Sequence, residues 1–305
     1  MEGRDQSRPG RASRCALIAL LAILAAACSA RQFALEGLAD GLGGTAGAFA
    51  ADEDPELVGA ALPFALKLME SIQVELPEHE KLLLGLASGF TQYSYAFVQV
   101  PAEELEQRDF DAAAAQKRRA VRLYLRAHGY GISALELTHP GLGQALERDP
   151  AAALTGATRE DVPLLYWSGA ALGLAIALSK GEPEMIARVP QVEALMARSL
   201  ALDEAYGAGV IHEFYVTYLG ADDEAVARKH FERAVELSGG RHASTFVALA
   251  EAVCVKKQDR PAFEKLLQQA LSIDLNAEPE NRLANVLAQR KARRLLARIE
   301  DLFLD

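Results

Sequence analysis

His212 and Glu213 begin the string His-Glu-x-x-His, with which a zinc protease holds its metal from successive turns of one helix. The second histidine would fall at position 216, which is valine. His79, His128, His139, His230 and His242 show no metal-ligand spacing either. Ser88-Gly89 lacks the upstream glycine of a Gly-x-Ser-x-Gly elbow, and no Walker loop is present. The Gly-rich stretch Gly41 to Gly47 has a Gly-x-Gly-x-x-Ala spacing but follows no strand, so it does not read as a dinucleotide loop. No nucleophile is set beside a base. The expectation is therefore a protein with no catalytic residues, no metal and no cofactor.

Cysteine carries a different chemistry. Arg4, Arg8, Arg11 and Arg14 precede an apolar run from Cys15 to Ala27, and Cys28-Ser29 follows. The run is shorter than the ~20 residues that span a bilayer. A basic start, a short apolar stretch and small residues before a break describe a secretory signal over residues 1–27. The cysteine at the break fits a lipoprotein, in which Cys28 is acylated and becomes the new N-terminus. Ala25 stands where leucine is usual, with Leu24 one place early. Serine after the cysteine favours the outer membrane over the inner. Cys254, the remaining thiol, lies in an apolar helical run and reads as an inert core residue.

The chain carries a formal charge of −10. An acidic surface repels phosphates, which argues against nucleic acid as a partner. Alanine and leucine are abundant, and no segment alternates apolar with polar residues convincingly, so the expected class is all-α. Residues 28–51 read as a lipid-anchored flexible tether, and 52–305 as one helical domain. Within it, Asp54-Pro55 and Asp149-Pro150 offer an N-cap followed by proline, Thr158 and Asp161 resemble a capping box, and Gly207 and Gly239-Gly240 mark helix ends. Three similar segments align on Leu200, Val235 and Leu271, 35 and 36 residues apart. A period near 34 ending in Ala-Leu-x-Leu-Asp is the tetratricopeptide (TPR) pattern. It predicts an array of antiparallel helical hairpins, an α-solenoid, either open or closed around central helices.

Two runs contain no charge, Leu82 to Ala102 and Val162 to Ser179. A helix apolar all round is buried in a core or a membrane. Polar residues along the first run, its interruption at Pro101, and the alanine and glycine of the second favour the core. On the first, helical spacing groups Phe90, Tyr93 and Phe97 on one face and Gln92, Tyr95 and Gln99 on another. Tyr166 and Trp167 open the second. These residues, with His212 and Glu213, are the candidates to line a ligand cavity; the alternative for each is ordinary packing.

The chain also resembles a known family, the T component of tripartite ATP-independent periplasmic (TRAP) transporters, or TatT-like proteins. The resemblance rests on Asp54-Pro-Glu-Leu-Val58, Ala61-Leu-Pro-Phe-Ala-Leu-Lys-Leu-Met-Glu70, Gly89-Phe-Thr-Gln-Tyr-Ser-Tyr-Ala-Phe-Val98, Leu123-Tyr-Leu-Arg-Ala127, Asp161-Val-Pro-Leu-Leu-Tyr-Trp167, Gly209-Val-Ile-His-Glu-Phe214 and His230-Phe-Glu-Arg-Ala-Val-Glu-Leu-Ser-Gly-Gly240. It implies a periplasmic lipoprotein of TPR-like hairpins that assembles as a homotrimer, binds the solute-binding P component and accepts a hydrophobic small molecule in a cleft or pore. It implies no catalytic residues. Ser168-Gly-Ala-Ala-Leu-Gly173 departs from it, since bulkier aromatics are common there. The acidic loop at Asp222 to Glu224 is a candidate contact for the P component. Two other readings stay open: a structural TPR scaffold for envelope assembly without a ligand, and a hydrolase of unknown type.

Overall fold

Local capping starts the helices where the sequence places the signals. The computed structural model describes residues 35–43, 49–220 and 222–304. The signal expected over 1–27 and the acylation site Cys28 lie outside the described residues. Among the described residues there are helices and no strand.

Helix α1 covers residues 35–43. Its Ala39 is fully buried, and Asp40 pairs with Lys81 at 3.0 Å. Within the stretch expected as a tether, Ala39 and Leu42 of this helix lie against an apolar cluster. Asp54 accepts from the backbone of Leu57 and starts α2 (Pro55–Glu75). His79 caps α3 (Glu80–Ser94), which runs through a π-turn (Tyr95–Gln99) into α4 (Val100–Leu105). Asp109 caps α5 (Phe110–Thr138). The Asp149-Pro150 signal is real, but the helix it starts, α7 (Pro150–Ala153), is a single turn after α6 (Leu142–Arg148).

The capping box forms as expected. The Asp161 carboxylate accepts from the Thr158 backbone at 2.8 Å and opens α8 (Val162–Leu178). Then come α9 (Pro183–Ile186), α10 (Val189–Leu202), α11 (Val210–Leu219), α12 (Glu224–Ser238) and α13 (Ala243–Leu249). A second π-turn (Ala250–Val255) follows α13. The chain ends with α14 (Arg260–Ser272), α15 (Arg282–Ala297) and α16 (Ile299–Leu302). Gly239 adopts the left-handed conformation that closes α12, whereas Gly207 lies in the link after α10, already ended at Leu202.

Helix α8 packs against α3, α5 and α10 and shares its apolar residues between two core clusters. Leu165 sits with Leu83, Leu135 and Leu195; Leu172 sits with Leu86, Phe90 and Met196. A Cβ at Gly169 would lie 3.2 Å from that of Leu195, so this glycine is what lets α10 approach. A third cluster joins α11 to α15 around Leu249, Phe263 and Leu267. Residues Arg159–Leu178 and α2 are each long and apolar enough to cross a bilayer. The first is mostly covered by its neighbours, while α2 leaves Phe64 and Val74 about three-quarters exposed. The last long helix, α15, lies against the first part of the chain. Arg290 holds Glu56 of α2, Arg294 holds Glu104 of α4 at 2.8 Å, and Arg282 donates to the Ala51 carbonyl at 3.1 Å.

Candidate functional site

The π-turn in the α3–α4 helix has a local cause. Pro101 has no N–H, and in an α-helix its ring would meet the carbonyl four residues back. The backbone widens instead, and the Val100 N–H reaches the Tyr95 carbonyl, five residues back. Pro101 therefore does not interrupt the helix. The extra residue turns everything after it by about 100° relative to α-helical spacing. Gln99, expected beside Gln92 and Tyr95, swings inward and is only 8% exposed. The Tyr124 hydroxyl donates to its Oε1 at 2.6 Å, and its Nε2 donates to Glu103 at 2.8 Å. Gln92 stays exposed and bonds its own helix through the Ser88 carbonyl.

Tyr95 joins a second polar group from far along the chain. Lys291 of α15 donates to the Tyr95 hydroxyl at 3.3 Å, lies 5.8 Å from its ring centre, and pairs with Glu251 at 2.7 Å. Glu251 sits in the second π-turn, so one lysine ties both π-turns together. Burial would lower the lysine pKa, but the neighbouring Tyr95 and Glu251 reverse this and raise it, keeping the ammonium charged. Lys291 pulls the Tyr95 hydroxyl down, while burial, Glu251 and Glu103 together push it up. Tyr95 nevertheless leaves 38% of its surface open.

Phe90, Tyr93 and Phe97 are chiefly packed. Phe90 stacks on Tyr130 at 6.1 Å and Tyr93 leans on Phe97 at 5.9 Å. Arg119 donates to the Tyr93 hydroxyl at 3.2 Å, and Arg126 covers the Phe90 ring. Tyr166 and Trp167 are half-buried and meet edge to face at 5.1 Å, with Tyr206 against Tyr166 at 5.5 Å. Burial raises the Tyr166 hydroxyl pKa, and the nearby Glu213 adds to it. Glu213 accepts from Ser244 at 2.8 Å and Thr245 at 2.9 Å; burial outweighs these bonds and raises its own pKa. Its neighbour His212 turns away to His230, ring nitrogen to ring nitrogen at 2.8 Å, and toward Glu204. Among the described residues no three potential metal ligands converge.

The structure thus gathers two polar–aromatic groups. One is Tyr95 and Gln99 with Tyr124, Lys291 and Glu251; the other is Tyr166, Trp167 and Glu213 with Tyr206, Ser244 and Thr245. They share helix α13 and its π-turn. Ser244 and Glu251 are seven residues apart, two turns along one helix face. Gln92 and His212 join neither. Lys291, Glu251, Tyr124, Tyr206, Ser244 and Thr245 escaped the sequence reading, since nothing local marks them.

Residues 51–303 match the family model described as TRAP transporter T-component. The chain belongs to that family. It is also 30% identical over 267 residues to an uncharacterized protein of Treponema pallidum (strain Nichols), a match covering 84% of this chain and 83% of that protein. Membership ties this T component to a TRAP transporter and to the cell envelope.

Proposed function

We propose that this T component is an outer-membrane lipoprotein of the periplasm, anchored through Cys28. It binds the P component of its transporter and holds a small hydrophobic ligand. The observation that supports the ligand reading is geometric: partly open aromatic rings at Tyr95, Tyr166 and Trp167 stand beside the few polar groups Lys291, Glu251 and Glu213, the composition of an apolar site with a small number of polar contacts. TPR-like hairpins form part of this reading and rest on the repeated segments at Leu200, Val235 and Leu271. A homotrimer and an acidic docking loop at Asp222 to Glu224 belong to the same reading.

Native mass spectrometry of protein released from membranes tests it. A bound species of constant mass should accompany the wild type and be lost in a Tyr95→Ala, Trp167→Ala double variant. The Cys28→Ala chain should leave the membrane fraction with that species still bound. Protein free of any ligand, yet capturing the P component, would instead support the scaffold reading. That second reading draws on the close packing of Phe90, Tyr93 and Phe97.

A further inference from the structure

A separate cavity of about 200 Å³ opens between α5, α6 and the start of α10. It shares no residue with the two groups described above. Its walls bring together four polar groups of complementary kinds. His128 is only 8% exposed; its Nδ1 lies 3.0 Å from the Ser168 carbonyl. A carbonyl can only accept, so Nδ1 carries the proton and Nε2 keeps its lone pair. Burial lowers the His128 pKa to about 4, which keeps the ring neutral at ordinary pH. Gln191, also 8% exposed, accepts from Arg188 through Oε1 at 3.4 Å, and its amide nitrogen bonds no described residue.

Arg188 is the unusual member. It is half-buried, yet no carboxylate among the described residues comes within ion-pair distance. Glu147, at the exposed edge of the cavity, acts on it only through space. A cation and an anion therefore face one cavity without closing on each other. The N-terminal end of α10 adds positive potential on the Arg188 side. Ile132 and Leu146 supply an apolar wall.

We propose that this cavity binds a small aliphatic α-amino acid as its zwitterion. The carboxylate lies on the Arg188 guanidinium and the Gln191 amide nitrogen, and the ammonium faces Glu147 and the His128 Nε2. A simple carboxylate would bring no positive group to Glu147 and Nε2, and a simple amine would bring no counter-charge to Arg188.

Isothermal titration calorimetry on the full chain tests this with three matched probes: L-valine, 3-methylbutanoate, which lacks the amine, and 2-methylpropylamine, which lacks the carboxylate. Valine should bind saturably, and each analogue roughly tenfold more weakly or worse. Arg188→Gln and Glu147→Gln should each weaken valine by a similar factor. Gly129 borders the cavity and a Cβ there meets nothing within 4 Å, so Gly129→Leu should crowd the cavity and abolish binding without lowering the circular dichroism melt. The proposal is overturned if valine gives no saturable heat up to about 10 mM, a limit near −3 kcal/mol. It is equally overturned if 3-methylbutanoate matches valine, or if Gly129→Leu binds valine like the wild type.

Discussion

Glu213 holds its carboxyl in surroundings that favour the neutral acid. Burial raises its pKa, and the hydroxyls of Ser244 and Thr245 do not fully offset that. A carboxyl whose folded pKa is raised contributes fully to stability below its ordinary value of 4.5. That contribution is lost as pH rises through the folded value. Glu213→Gln removes the ionisation and should therefore melt higher than the wild type at pH 7.5. The difference should shrink as the pH falls through the folded value and be gone below about 4.5. Thermal unfolding across that range checks the sign, and a variant less stable at pH 7.5 would show that the charged form is the one the fold favours. The same interior places Tyr166 beside this carboxylate, so ligands that displace water there should change the tyrosine ultraviolet difference spectrum.

At the scale of helices, close approach decides what a glycine is for. Gly129 and Gly131 lie two residues apart on α5, on opposite sides of its wall. A side chain at Gly131 would run into Ser168, whose Cβ stands 3.3 Å and whose Cα 3.5 Å from the added carbon. Gly131→Leu should cost about 1–3 kcal/mol or more by chemical denaturation, since overpacking forces two central helices apart. Gly129→Leu, facing open space, should cost nothing and gain some helix propensity. Equal effects would mean that α5 and α8 are not held at this distance. What the sequence disclosed follows the same logic of locality. Caps at Asp54, Thr158 and Asp161 act within one turn, so they were readable. The uncharged run of α8 could only be a buried element or a membrane one, and its neighbours now cover most of it. Gln99 does not share a face with Gln92 because face arguments presume 3.6 residues per turn, and a π-turn breaks that count. Lys291 and Glu251 could not be paired with Tyr95 beforehand, because the contact depends on how distant helices come to rest.

For the molecule as a whole, the grip of α15 on α2 and α4 is polar and partly exposed. Exposed ion pairs contribute roughly 0–1 kcal/mol each. Replacing Arg290 and Arg294 with alanine should thus shift the melting temperature little. Amide hydrogen exchange should nevertheless quicken in α15 and α2, and high salt should do the same to the wild type. Unchanged exchange would mean that apolar packing alone holds these helices. The same grip bears on the order of events in time. Most helices rest on near neighbours in the chain and can assemble as soon as those neighbours exist. The contacts of Arg282 and Arg290 instead reach back more than 230 positions, and such distant pairings form slowly. Until the closing two dozen residues are made, the two flanks stand apart, and any chain cut short before Arg282 would be left without its clasp.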